Sequence, residues 1–176
     1  KADDGRGNYD YWLWKMNEKG GMEWQKSYGG SGFDYLQSIQ MTSDGGYILG
    51  GISDSDVGGD KKAAARGDFD FWILRLDPKG NELWQRTIGG NGQEKLHSIS
   101  KTPDGGYIIG GTSSSDASLL TPEGKEDKWG KKAPSKGNLD IWIIKLNAQG
   151  DMVWQKTYGG QYADELKAIT PTKDGG

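Results

Sequence analysis

The sequence predicts an all-β chain made of repeated units of four antiparallel strands. The first observation is a regular recurrence of single residues, spaced by 60 and then by 70 positions. Internal repetition on this scale indicates tandem copies of one supersecondary unit. The recurring positions are Trp12, Trp72 and Trp142; Trp24, Trp84 and Trp154; and Asp44, Asp104 and Asp174. The glycine pairs Gly50–Gly51 and Gly110–Gly111 keep the first of these spacings.

The second observation is the pattern within one unit. Residues 94–102, 107–113, 139–147 and 151–160 are short segments rich in Ile, Val, Tyr and Trp, which favour strands. In the third segment Ile141 and Ile143 alternate with Trp142, the period of two expected of a strand. The connections "NEKGG", "DPKGN" and "NAQGD" combine Asn or Asp with Gly, as hairpin turns require. Each unit therefore predicts four strands joined by tight turns.

Two segments vary between the units, and both are predicted to be loops. They are 54–67 and 116–137, and the ten extra residues of the second interval fall between Asp116 and Gly137. An insertion confined to one point marks a surface connection, which tolerates changes in length. The basic runs "KKAAAR" and "GKKAPSK" lie in these loops, and we expect them to be solvated.

Tandem four-stranded units of about 60 residues are typical of β-propeller blades. A β-sandwich or an open β-solenoid could also hold such strands, but tryptophan at the same positions in each unit favours blades packed face to face. The predicted divisions are a partial blade with its last two strands (1–30), two complete blades (31–90 and 91–160, the latter with loop 116–137), and the first strand of another (161–176). Propellers close with about four or more blades. We therefore expect about three blades of a longer propeller of about six to eight blades, or a chain whose ends associate with other blades or with a partner protein.

A resemblance supports this architecture. The run "YGGSGFDYLQSIQMTSDGGYILGG" is similar to bacterial β-propeller repeats of large secreted and cell-surface proteins. The wider unit, with "GDFDFWILRLDPKGNELWQ", resembles the tandem repeats of Bacteroidetes surface proteins exported by type IX secretion. The order of the Gly-Gly pair and the following Trp resembles kelch-type blades. The resemblance implies a scaffold in an extracellular or cell-surface, outer-membrane-associated protein.

Composition excludes several classes of function. The 176 residues carry a formal charge of −3 and no cysteine. The charge argues against a dedicated nucleic-acid binder, and the missing cysteines exclude thiolate metal sites and a disulfide framework. No run of about 18 apolar residues predicts a membrane span. The opening "KADDGRGNYD" has no apolar signal segment, which suggests a processed or truncated piece.

The glycine-rich stretch "SDGGYILGG" does not have the context of a phosphate loop. A phosphate cradle opens a helix, whereas Asp44, Gly45 and Gly46 lead into a predicted strand. We expect the aspartate to accept turn hydrogen bonds. The second pair, Gly50 and Gly51, is expected to permit close approach of a neighbouring strand or aromatic ring.

Calcium is the one metal that the sequence suggests. Asp54 and Asp56 lie in the first loop, and Asp70 follows it. Calcium binds six to eight oxygens in flexible acidic loops. The complete calcium-loop pattern is missing, and Asp54 is replaced by Ser114 in the next unit. Side-chain capping of turns by these acids is the alternative.

Catalysis has little support. The single histidine, His97, has no cysteine or recurring serine beside it to form a triad. One acid per unit lies near the start of the first strand: Asp34, Glu94, and Asp164 or Glu165. Because these acids recur in every unit, they do not indicate a unique active site. We predict no catalytic residue and no organic cofactor, with a propeller glycoside hydrolase as the alternative.

The predicted function is a non-catalytic scaffold that presents its two variable loops for protein or glycan recognition. Trp129 is the aromatic residue of the long loop that falls outside the repeat. An exposed tryptophan there would contact a partner protein or a sugar ring.

Overall fold

The computed structural model describes residues 5–117, 121 and 124–174. This part of the chain contains strands, turns and loops and no helix, which confirms the predicted all-β class. The ten strands are β1 (Tyr11–Met16), β2 (Met22–Tyr28), β3 (Asp34–Met41), β4 (Tyr47–Ser53), β5 (Asp70–Leu76), β6 (Glu82–Ile88), β7 (Glu94–Lys101), β8 (Tyr107–Ser113), β9 (Asp140–Leu146) and β10 (Met152–Tyr158).

The strands form three antiparallel sheets. The first sheet pairs β1 with β2, the second has the order β3-β4-β5-β6, and the third has the order β7-β8-β9-β10. Every ladder joins strands that are neighbours in the sequence. This local connectivity follows from tight turns between the strands.

The second and third sheets have the same register at equivalent residues. Gly51 lies opposite Trp72 in the second sheet, and Gly111 lies opposite Trp142 in the third. Both first strands are bulged at the same point, between Leu36 and Ser38 and between Leu96 and Ser98. Equivalent residues in the sequence therefore hold equivalent positions in the two sheets.

Glycine closes each hairpin because the backbone there is left-handed. Gly20, Gly80 and Gly150 have φ of 76°, 74° and 77°, a region that other residues disfavour. Asp77 accepts hydrogen bonds from the amides of residues 79 and 81 at 2.8 Å. The turn chemistry thus selects the register of the strands that follow.

A hydrophobic cluster fills the space between each pair of consecutive sheets. Between the first and second sheets it consists of Tyr11, Leu13, Tyr28, Leu49, Trp72, Leu74 and Leu76. Between the second and third it consists of Ile48, Phe71, Ile73, Ile88, Leu96, Ile99, Tyr107, Ile109, Trp142, Ile144 and Leu146. The strands of the second sheet supply both clusters, because their odd and even residues face opposite neighbours. The sheets are thus stacked face to face in the order of the chain.

The second glycine pair of each unit makes room for both neighbouring sheets. A Cβ on Gly51 would overlap the Tyr11 ring of the preceding sheet, and one on Gly50 would meet Leu96 of the following sheet. Gly111 lies in the same way against Phe71. Close packing from both sides is the physical reason for a side-chain-free position here.

Tryptophans at equivalent positions differ in burial. Trp72 and Trp142 are fully buried, whereas Trp12 is 45% exposed. In the fourth strand, Trp84 is half-buried and Trp154 is 42% exposed. Within the described residues, Trp12 and Trp154 therefore do not pack between sheets as Trp72 and Trp142 do. No described sheet covers the faces on which these two side chains lie.

Residues 161–174 form no strand, unlike the first strand that the repeat predicts for 161–176, of which residues 175 and 176 lie outside the described part. The segment nevertheless packs as a first strand does. Leu166 lies against Gly110 as Leu96 lies against Gly50, and the Asp164 amide donates to the carbonyl of Leu139 at 2.8 Å. A strand is defined by its ladder, and no described strand pairs with this segment.

Candidate functional site

The long loop breaks the repeat at Trp129. Gln85 donates to the carbonyl of Asp60, and the equivalent Gln155 donates to the carbonyl of Gly130. These matching bonds align the two loops, so Trp129 occupies the position of a glycine, Gly59, in the preceding loop. A large aromatic side chain therefore enters at one point of an otherwise repeated framework.

Trp129 is anchored to the second sheet. The guanidinium of Arg86 lies 5.0 Å from the Trp129 ring and 5.3 Å from the Trp84 ring, so it stacks between two indoles. The amide of Gly89 donates to the Trp129 carbonyl at 3.2 Å. Trp129 is half-buried and packs against the hydrophobic cluster. It is held in place and does not stand free as the sequence suggested.

Asp127 fixes the loop on the other side of the tryptophan. Its carboxylate accepts from the amides of Trp129 and Gly130 at 3.1 and 3.0 Å. The same carboxylate forms an ion pair with Arg66 of the preceding loop. The side chain is buried, where a charged pair with extra hydrogen bonds is stronger than on the surface. The geometry around Trp129 is therefore preorganised.

A cleft of about 590 Å³ opens between this loop and the edge strand β10. Two tryptophans, Trp129 and Trp154, contribute to its walls. Its remaining lining residues are Glu126, Lys128, Lys132, Asp151, Met152, Val153, Gln155 and Lys156. A concave surface of this size with aromatic walls and a few polar groups is typical of a ligand site.

The charges of the cleft nearly balance. Three lysines face two acids, and Lys132 lies 3.6 Å from Glu126. Asp151 is paired with Arg86 at 3.7 Å. The polar groups of the lining can hydrogen-bond hydroxyls and amides, and no histidine, serine or cysteine is among them. This chemistry suits binding of a neutral, hydroxyl-rich or peptide-like ligand.

A second polar constellation lies between the sheets. Asp70, at the start of β5, and Glu94, at the start of β7, are both fully buried, and a Cβ on Gly89 would overlap both of their carboxyl groups. Glu94 also accepts from Ser113 and Ser115, each at 2.6 Å. Burial, and after it the neighbouring Glu94 carboxyl, raise the pKa of Asp70 to about 8.

The acids at the equivalent positions lie in similar surroundings. Asp10 and Asp34 each have one carboxylate oxygen that is buried without a hydrogen-bond partner, and so do Asp70 and Asp140. Gly30 donates to Asp34 at 2.8 Å, as Gly90 donates to Glu94 at 3.1 Å. Because these acids recur at equivalent positions of the repeated framework, their role is structural.

Two buried lysines seal the variable loops, contrary to the expectation that the basic runs are solvated. Lys61 is 2% exposed and Lys131 is fully buried. The Lys61 ammonium donates to the carbonyl of Ala63 and the hydroxyl of Thr87 at 2.8 and 3.0 Å. Burial lowers the pKa of Lys61 to about 8. In the sequence, the sign of this burial is the "KK" pair that recurs in both loops. The recurrence becomes visible only when the two loops are aligned.

The three acids considered for calcium have separate partners. Asp54 accepts from the amide of Phe33 at 2.6 Å, Asp56 is exposed, and Asp70 pairs with Glu94. Within the described residues no group of three or more potential ligands converges. The observed role of Asp54 is that of a cap on the loop before β3.

The repeated aspartates bind their own turns and the central strands. Asp44 accepts from the amide of Gly46 at 3.3 Å, and its two carboxylate oxygens both accept from Nη2 of Arg75, at 2.7 and 2.6 Å. Arg75 in turn donates to the hydroxyl of Tyr107 in the next sheet at 3.1 Å. Asp104 pairs with Lys145 at 2.9 Å, and the equivalent Asp174 accepts from Thr172. Arg75 and Lys145, the basic side chains beside the glycine turns, are therefore paired with these carboxylates.

His97 lies at the bulge of β7, 3.9 Å from the carboxylate of Glu165. Burial lowers the pKa of its imidazole, so the ring is neutral near pH 7. Its Nε2 has no hydrogen-bond partner. The buried acids Asp70 and Glu94 are not among its charged neighbours, which are Glu165, Lys167 and Lys95.

A scan against models of known protein families and a search of curated proteins find no match to this chain. In the described part of the chain no helix is long and apolar enough to cross a membrane.

Proposed function

We propose that this chain is a segment of a β-propeller that serves as a non-catalytic binding module, with the cleft at Trp129 and Trp154 as its ligand site. The observation that carries the proposal is the single large break in the repeat, where Trp129 replaces a glycine and creates an aromatic wall. Specificity is expected where a repeated framework varies, because the framework fixes the position of the variable part.

The propeller arrangement is supported by the sheet packing. Consecutive sheets contact each other through equivalent residues of the central strands, Phe71 with Trp142 and Tyr11 with Trp72. A constant relationship between consecutive four-stranded sheets is what radial repetition requires. In this proposal the N-terminal sheet and the segment 161–174 are parts of two further blades.

The ligand class that we propose is a neutral oligosaccharide. Indole faces stack on the apolar faces of sugar rings, while lysine, glutamine and carboxylate groups bond their hydroxyls. Trp154, 42% exposed, offers an accessible face, and Trp129 is already immobilised by Arg86. An immobilised wall loses little side-chain entropy on binding. A peptide-like partner is the other outcome that the test distinguishes.

A hydrolytic role has less support. The acid pair Asp70 and Glu94 is buried between sheets, whereas a glycosidase places its two carboxyls on either side of an accessible bond. The resemblance of the repeats to bacterial surface proteins supports a secreted or cell-surface location. Detection of the protein in the extracellular or outer-membrane fraction of its source cells would test that location.

Calorimetric titration with neutral gluco-, manno- and N-acetylglucosamine oligosaccharides tests the ligand site. We expect binding by at least one series, and at least a tenfold loss of affinity in Trp129→Ala and Trp154→Ala. Tyr9→Ala is the matched control, because Tyr9 is a 59% exposed aromatic residue that does not line the cleft. Absence of binding at millimolar sugar, or an equal loss in the control, would overturn the proposal. If the chain binds members of a peptide library and no sugar, the ligand class is peptide and not oligosaccharide.

A further inference from the structure

The first sheet exposes a row of large apolar side chains. Trp12, Trp14 and Met16 are 45%, 50% and 52% exposed on one face of β1. Trp12 and Trp14 contact each other edge to face, with ring centroids 4.9 Å apart. The apolar row is contiguous, a property that marks an interaction surface.

The equivalent rows of the other two sheets are covered. Trp72, Leu74 and Leu76 belong to the cluster that contains Tyr11, Leu13 and Tyr28 of the preceding sheet, and Trp142, Ile144 and Leu146 to the cluster that contains Phe71, Ile73 and Ile88. The two-stranded first sheet is enough to provide the covering side chains for the second. The same kind of surface is thus buried twice inside the molecule and exposed once.

Trp12 of the exposed row makes the same side-chain hydrogen bond as its buried counterparts. The indole nitrogen of Trp12 donates to Gln25 at 3.2 Å. The buried Trp72 and Trp142 make the same bond to Gln85 and Gln155, at 3.1 and 3.0 Å. A side chain held in its bound rotamer loses less entropy when it is covered.

The opposite end of the molecule presents the complementary face. Ile141 and Ile143 on β9 are half-buried, and Tyr158 on β10 is 54% exposed. By position these residues correspond to the covering set of the internal interfaces: Tyr11, Leu13 and Tyr28, and Phe71, Ile73 and Ile88. The two ends therefore carry the two halves of one interface.

Polar contacts of the internal interfaces also have counterparts at the ends. The hydroxyl of Tyr28 donates to the carbonyl of Gly80 in the next sheet, and Arg86 donates to the carbonyl of Gly150 at 2.9 Å. Gly20 is the equivalent turn glycine of the first sheet, with the same left-handed backbone. Tyr158 is thus placed to donate to the Gly20 carbonyl of a docked first sheet.

We propose that two copies of this chain associate head to tail, with the Trp12–Trp14–Met16 row of one copy packed on the Ile141–Ile143–Tyr158 face of the other. The interface is heterologous, because different surfaces meet, and such interfaces extend to rings or filaments. The inference rests on the packing of the sheets and is independent of any ligand in the cleft.

Sedimentation of the chain over a range of concentrations tests the association, with Trp14→Lys and Tyr158→Lys as interface variants. We expect the parent chain to form oligomers as its concentration rises and each variant to remain monomeric. An equimolar mixture of the two variants is expected to form dimers, because one copy retains an intact row and the other an intact face. Leu83→Lys is the matched control, since Leu83 is 57% exposed but belongs to neither surface.

A parent chain that stays monomeric at high concentration would overturn the proposal. Variants that remain monomeric when mixed would overturn the head-to-tail arrangement in favour of a symmetric contact. Circular dichroism of each variant establishes that a loss of association is not a loss of fold. Trp129→Ala is expected to associate like the parent chain, which separates this test from that of the cleft.

Discussion

Asp70 and Glu94 come from consecutive sheets and meet as a fully buried pair of carboxyls beside Gly89. Gly89 lies so close that a Cβ on it would overlap Asp70. The pair therefore connects two sheets at a point that is packed from all sides, and its protonation state affects how well they stay together.

The stability of the chain should fall as the pH rises from about 4 to about 8. Asp70 has a pKa near 8 in the folded chain and an ordinary carboxyl value of about 4 when unfolded. The folded state binds the extra proton in this range, so its contribution to stability is complete below pH 4 and is lost as the pH rises through 8. Urea unfolding at pH 5, 7 and 9 measures the trend. Asp70→Asn should flatten it, and an unchanged slope in that variant would show that the pair does not hold a proton.

Asp44 should act in the opposite direction. Its hydrogen bond from Thr42 and its contact with Arg75 lower its pKa to about 2. Its contribution is present above the ordinary carboxyl pKa and is lost as the pH falls from about 4 to about 2. Asp44→Asn should therefore weaken the dependence of the unfolding midpoint on pH in this acid range. A variant with the parent's acid profile would exclude this contribution.

Tryptophans at equivalent positions should differ in their contribution to stability. Trp142→Ala removes a fully buried ring and is expected to cost about 3–5 kcal/mol. Trp154→Ala removes a ring that is 42% exposed, so about 1 kcal/mol or less is expected. Chemical unfolding of both variants at low protein concentration checks the difference. Equal costs would mean that Trp154 is covered in solution.

Two glycines of the repeat provide a matched test of backbone packing. A Cβ on Gly51 would overlap the Tyr35 carbonyl and the Tyr11 ring, whereas one on Gly160 would meet only Asp164 at 4.0 Å. Gly51→Ala is expected to destabilise the fold by about 1–3 kcal/mol, and Gly160→Ala to change it by less than about 0.5 kcal/mol. Thermal melting of the two variants gives the comparison, and similar melting temperatures would contradict the close approach of the sheets.

Removal of calcium should leave the melting temperature unchanged. Asp54 and Asp70 are engaged by an amide and by Glu94, so a cation would have to displace these partners. A ligand that binds the folded state raises its stability by mass action. Melting in millimolar EDTA and in millimolar calcium is therefore expected to coincide within about 1 °C. A clear rise with calcium would restore the loop acids as ligands.

The sequence alone determined the local structure of this protein. The period of two in residues such as Ile141, Trp142 and Ile143 predicts a strand whichever neighbours it has. Asp or Asn with Gly sets each turn through backbone conformation, a local property. These signals located the strands and the repeated positions from the residues themselves.

Only the tertiary structure decided which equivalent residues are buried and what they contact. Trp142 and Trp12 occupy the same position in their units, and their exposure differs because a neighbouring sheet covers one and not the other. The pairing of Asp70 with Glu94 and the burial of Lys61 depend in the same way on contacts between segments more than twenty residues apart. Burial and pKa are properties of the surroundings, which periodicity and turn chemistry do not specify. The cleft at Trp129 likewise exists because a loop that the repeat leaves variable folds back on strands that it fixes.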